Sequence, residues 1–265
     1  MKIINDMPVR SCYTTFPATV YMRNGTKKVV EKQVLIENCL DVFIGSQKAI
    51  KFVCTPEHLG ELVLGYFYSE GLIQTVDDIE LIHISADGHC ADITFNQSCN
   101  PHTVWPQVDR VLSSTGSKRF WPGKVKNAPE IKPLPEHSWR EEDIYLMAQE
   151  FFDRKALIYS QTRAAHSCFM KMGSRTLYSC EDIGRHNTLD KIIGLALRDG
   201  IDINRTAIYS SGRIPIDMAI KVIRSRIPVL VSKTMPSEQA VKLARRYNLT
   251  LICSACPDSM TVFNK

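Results

Sequence analysis

The chain has 265 residues, 44% hydrophobic and 23% charged, with a formal net charge of +5 at pH 7. That composition excludes a disordered or fibrous chain. The mild positive charge suits an anionic ligand or acidic partner and falls short of a nucleic-acid protein. The N-terminal residues carry no apolar h-region and no stretch approaches about 18 apolar residues, so neither a secretion signal nor a membrane span is expected. Nine cysteines without a spaced framework fit the reduced thiols of a cytoplasmic protein.

Residues 1–96 read as an α+β module. Ala18–Arg23, Lys32–Ile36, Asp41–Ile44 and Ala49–Val53 alternate or run apolar as strands do. Thr55-Pro56-Glu57 opens a helix, with Thr55 as N-cap and Pro56 at the first helical position. Leu59, Leu62, Val63, Tyr66 and Phe67 form its buried stripe, and Gly71 stops it. Strands are expected over Ile79–Ser85 and Cys90–Phe95. Residues 97–136 carry six prolines and little periodicity, and five basic residues fall between Arg110 and Lys126. This stretch reads as a basic linker or loop.

Residues 137–265 alternate helix and strand. Helices are expected over Glu142–Phe151, after Arg185, and over Pro215–Arg224 and Pro236–Tyr247. Strands are expected over Ala165–Lys171, Thr176–Ser179, Thr206–Ser210, Pro228–Ser232 and Leu249–Cys253. Strand–helix–strand alternation implies a parallel sheet covered by helices, with ligands outside the carboxyl ends of its strands.

Three polar turns fall at such places. In the first, Glu181, Asp182, Gly184, Arg185, His186 and Asn187 precede an amphipathic helix, whose N-terminus favours anions. The second is Ser210-Ser211-Gly212-Arg213, and the third begins at Ser232-Lys233. Arg185 and Arg213 offer planar forks for phosphate oxygens, and the small residues allow close backbone approach. Together the turns point to a nucleotide-like ligand. Each also has a plainer reading as helix caps. Thr162 and His166 enter a strand nearby; a single histidine there is as easily structural. Cys253-Ser254-Ala255-Cys256 is the only C-x-x-C. A zinc site would need a second pair of ligands, for which His166 and Cys168 are conceivable. Two small packed thiols is the simpler reading.

TPEHLGELVLGYFYSEGLI (residues 55–73), EDIGRHNTLDKIIG (181–194) and SSGR (210–213) together resemble the FdhD/NarQ family of formate dehydrogenase accessory sulfurtransferases. The resemblance implies an α/β fold: a C-terminal cytidine-deaminase-like three-layer domain with a mostly parallel sheet (137–265), joined through the 97–136 linker to a smaller N-terminal α+β domain (1–96). It also implies an activity. Such proteins take persulfide sulfur from a cysteine desulfurase and pass it to the molybdenum or tungsten form of bis(molybdopterin guanine dinucleotide), on the way to the formate dehydrogenase catalytic subunit. A cytoplasmic homodimer is implied, with no catalytic metal, nucleic acid or membrane partner.

Carried over residue by residue, the family's T-G-G-x-H segment keeps Thr162 and His166 but has Arg163 and Ala164 at the glycines. Glu181, Asp182, Gly184, Arg185, His186, Asn187, Ser211, Gly212 and Arg213 match. The sulfur-carrying loop, approximately S-C-G-x-C-G, falls on residues 113–118, where Thr115 and Lys118 replace both cysteines. Neither bears a persulfide. Cys253 and Cys256 are the weak substitutes. A cofactor-binding chaperone without sulfur transfer is therefore the alternative function. A metal-dependent hydrolase of deaminase type is disfavoured, because His166-Ser167-Cys168 lacks the acid of H-x-E and no P-C-x-x-C follows.

Overall fold

The structure, a computed structural model, describes residues 1–96, 130–153 and 157–265, with the backbone of 111 and 112. Thr115 and Lys118 lie outside the described residues. In chain order the first half holds β1 (Lys2–Asn5), β2 (Tyr13–Tyr21), β3 (Lys27–Leu35), β4 (Asn38–Ile44), β5 (Gln47–Cys54), α1 (Leu59–Ser69), β6 (Ile79–Ile84), β7 (Cys90–Phe95) and β8 (Val111–Leu112). The second half holds α2 (Glu141–Asp153), α3 (Leu157–Thr162), β9 (His166–Met172), β10 (Arg175–Asp182), α4 (Arg185–Arg198), β11 (Ala207–Ser210), α5 (Ile216–Arg224), β12 (Val229–Ser232), α6 (Glu238–Tyr247), β13 (Thr250–Cys256) and β14 (Ser259–Asn264).

The first sheet runs β1-β6-β7-β4-β5-β8, and β2 and β3 pair separately as a ribbon. The second runs β10-β9-β11-β12-β13-β14. Its centre, β11-β12-β13, is parallel, as strand–helix alternation requires. Antiparallel pairs flank that centre, because Gly173, at φ 57°, turns β9 directly into β10, and a short turn joins β13 to β14. Helices α4, α5 and α6 cover one face with Leu189, Ile192, Met218, Val222 and Ala240. On the other face α2 packs Ile144, Met147 and Ala148 against Phe169, Tyr209 and Val231.

Helix α1 is buried nearly all round, as expected of an apolar helix between two layers. It packs on the first sheet through Leu62, Val63 and Phe67 and on α4 through glycines. A Cβ at Gly65 would lie 1.8 Å from the Asp190 carbonyl oxygen, and one at Gly194 would lie 1.9 Å from that of Glu61. The two backbones therefore touch. The helix starts later than its sequence suggests, at Leu59 after His58 in the left-handed region at φ 53°. The reason is a long-range partner. The Thr55 N–H and hydroxyl both donate to Asp182, at 3.0 Å each, and so leave the cap.

Candidate ligand-binding site

The carboxyl ends of β11 and β12 lie side by side, with Ser210 paired to Ser232. β9 runs the other way beside them, so His166 begins where β11 ends. The turns are tied across this rim. The Ser211 N–H donates to the Ser167 carbonyl and the Ser167 N–H to Ser211 Oγ, both at 2.9 Å. The Ser232 hydroxyl donates to the Gly212 carbonyl at 2.8 Å, and the Lys233 N–H to the Ser210 carbonyl at 3.0 Å. The Gly184 turn joins them. A Cβ at Gly212 would come within 3.0 Å of both Cβ and Cδ of Arg185. Glycine leaves the Arg185 stem its place, where a larger residue would make it shift by a few tenths of an ångström.

A cleft of about 810 Å³ opens over this rim, lined by Phe152, Tyr159, Arg163, His166, Ser211 and Lys233 among others. Two aromatic rings stand half-open in it, Phe152 at 42% exposure and Tyr159 at 41%. Lys233 Nζ sits 5.0 Å from the Phe152 ring centre and the Arg163 guanidinium 5.4 Å from that of Tyr159. Arg163 holds φ 58°, a conformation that glycine adopts at lower cost. His166 Nδ1 lies 3.4 Å from Ser211 Oγ. Burial holds the His166 pKa below its usual 6.5, the Arg185 cation lowers it further, and Asp182 opposes both.

The acids of the first turn face inward. Asp182 is fully buried. Its Oδ1 accepts from the Gly184 N–H and from Asn187 Nδ2; its Oδ2 accepts from both Thr55 groups and meets Lys191 Nζ at 2.6 Å. Asn187 Nδ2 also donates to the Val53 carbonyl at 2.8 Å. Glu181 accepts the Ile158 and Tyr159 N–H groups at 2.8 and 2.9 Å, capping α3 at its N-terminus. His186 Nε2 lies 3.2 Å from Asp217, linking α4 to α5. An open polar helix mouth was expected from the sequence; the structure has a buried hub that fixes the turn holding Arg185. The reason is that α1 and β5 cover it. Thr162 closes α3, its hydroxyl donating to the Ile158 carbonyl at 2.8 Å. Arg213 is exposed at its turn, and neither it nor Arg185 lines the cleft.

Cys253 is buried within β13, which pushes its thiol up to about 12, whereas Cys256 is half-buried beyond the end of β12. Tyr209 donates its hydroxyl to the intervening Ala255 carbonyl at 2.6 Å. Among the described residues no group of three or more His, Cys, Asp or Glu is placed to hold a metal ion. None of their helices is long and apolar enough to cross a membrane. Sequence reasoning missed the aromatic wall. Phe152 lies near the end of α2, one residue past the helix expected from the sequence, and Tyr159 in α3, whose six residues are too few to show a helical period.

A family model described as "FdhD/NarQ family" matches residues 35–265. The chain is 29% identical to the sulfur carrier protein FdhD of Listeria innocua over 243 residues, 91% of this chain and 92% of that one. It is 28% identical to that of Bacillus subtilis over 234 residues, 86% and 87% of the two chains. In fold it is similar to a crystal structure from Desulfotalea psychrophila assigned as a formate dehydrogenase accessory protein, with TM-score 0.76, 23% identity, and 96% and 98% of the chains covered. The chain belongs to the FdhD/NarQ family.

Proposed function

We propose that the chain is a sulfur-carrier accessory protein of formate dehydrogenase maturation, whose cleft takes a guanine-nucleotide end of bis(molybdopterin guanine dinucleotide) as cargo. The observation that carries this reading is the meeting of His166, Ser211 and Lys233 beside two half-exposed aromatic rings. Aromatic faces stack on a planar base. The Lys233 and Arg163 cations suit phosphate oxygens. A neutral imidazole and a hydroxyl supply orienting polar contacts, and the volume lies within the range of small-ligand sites. In this reading Arg185 braces the Gly212 turn, and the buried Asp182 hub braces Arg185. The names of the relatives support the function as a whole. A cysteine desulfurase would supply sulfur, the formate dehydrogenase catalytic subunit would receive the loaded cofactor, and the protein would work in the cytoplasm as a homodimer.

Sulfur transfer needs a thiolate. The family's loop positions carry Thr115 and Lys118, so in this chain the step would fall to another cysteine. Cys256 suits it better than Cys253, because it is half-buried where Cys253 is buried and reluctant to ionise. The same two replacements favour a second reading, a cofactor chaperone without sulfur transfer. Incubation with a cysteine desulfurase and radiolabelled cysteine separates the two. Label retained without reductant, released by dithiothreitol and absent from Cys256→Ser supports the carrier. A protein that never takes label is the chaperone.

A further inference from the structure

The cleft lies near the start of α5. A second cavity, of about 410 Å³, opens at the other end of that helix, roughly 13 Å away along its axis. Tyr68 and Ile223 give it apolar walls, and Arg224, Arg226 and Lys132 line it against one carboxylate, Glu130. Arg224 is nine-tenths buried, its side chain 10% exposed. Its Nη1 donates to the Glu70 carbonyl at 2.9 Å, but the Glu70 carboxylate stands 3.9 Å off because Lys221 engages it at 3.0 Å. Glu70 is therefore shared between Arg224 and Lys221, which also holds Asp190 at 2.8 Å. Burial accordingly lowers the Arg224 pKa, against the pull of Glu70.

Arg226 is anchored on carbonyls, its Nη1 donating to those of Lys132 and Pro133 at 3.0 and 2.9 Å. Carbonyls position a guanidinium but do not neutralise it. A cavity lined by three cations against one carboxylate, with a largely buried guanidinium and apolar walls, is suited to an oxyanion on an apolar body.

We propose that this cavity is a second ligand site, taking a small molecule with a phosphate or carboxylate head and an apolar body. It is separate from the cleft and does not rest on the reading given to it. The test is an equilibrium titration of the full chain with inorganic phosphate, phenyl phosphate and benzoate. At least one organic anion should saturate at millimolar concentration; if phenyl phosphate does, it should bind about tenfold more tightly than inorganic phosphate. The stronger of the two organic ligands identifies the head group. Lys132→Glu should weaken binding about tenfold or more. Lys132 is exposed and only its carbonyl is used by the fold, so that variant folds even if Arg224→Gln does not. Lys233→Ala, in the cleft, should leave this binding unchanged. The proposal is overturned if neither organic anion saturates, if Lys132→Glu binds as tightly as the intact chain, or if Lys233→Ala abolishes the signal.

Discussion

Asp182 gathers five donors on one buried carboxylate, from Thr55, Gly184, Asn187 and Lys191. Removing it leaves the fully buried Lys191 ammonium without its carboxylate. Asp182→Ala should cost about 3–5 kcal/mol, read from urea unfolding; a loss under about 1 kcal/mol would mean the hub is idle. His166 makes a prediction about pH. Its folded pKa lies below the unfolded 6.5, so the neutral ring contributes stability that is present above that value and lost as pH falls through the folded midpoint. An NMR titration should place the midpoint under 6.5, and Arg185→Gln should raise it by removing a neighbouring cation. A midpoint at or above 6.5 would contradict the assigned environment.

At the level of elements, the crossing of α1 and α4 depends on Gly65 and Gly194. A methyl at either position meets a carbonyl oxygen within 2 Å, so the helices must separate. Gly65→Ala and Gly194→Ala should each destabilise by about 3 kcal/mol, although alanine is the better helix former. Denaturant midpoints equal to that of the parent would refute the contact. Most elements were legible in the sequence, because β4, β5, α4, α5 and β12 are long enough in apolar period to declare themselves. The ribbon strand β2 runs from Tyr13 rather than Ala18, since an exposed strand has no buried face to pattern. β1 and β14 went unseen because pairing with a neighbour, rather than their own composition, makes them regular, and α3 because six residues show no helical period. The start of α1 was displaced by Asp182, a partner 127 residues away that no local rule contains.

In the molecule as a whole, α1 belongs to both halves. It fills the first core and, through α4, lies against the second. The EDIGRHN motif is therefore two things at once. Its Arg185 end reaches the rim of the cleft, where the stem lies against Gly212, and its Asp182 locks the halves together. The sequence carried the adjacency of the Gly184 and Gly212 turns, because strand–helix order puts both at one edge of the sheet. It did not carry the division of labour, because burial by α1 and β5 arises only on folding. The most direct measurement is a calorimetric titration of GDP into the intact chain and into Lys233→Ala. Saturable binding that weakens in the variant by about 1.5–3 kcal/mol, the value of a charge-assisted contact, is the predicted result. Equal affinity in the two proteins, or no saturable binding in the intact chain, would contradict the assignment of the cleft.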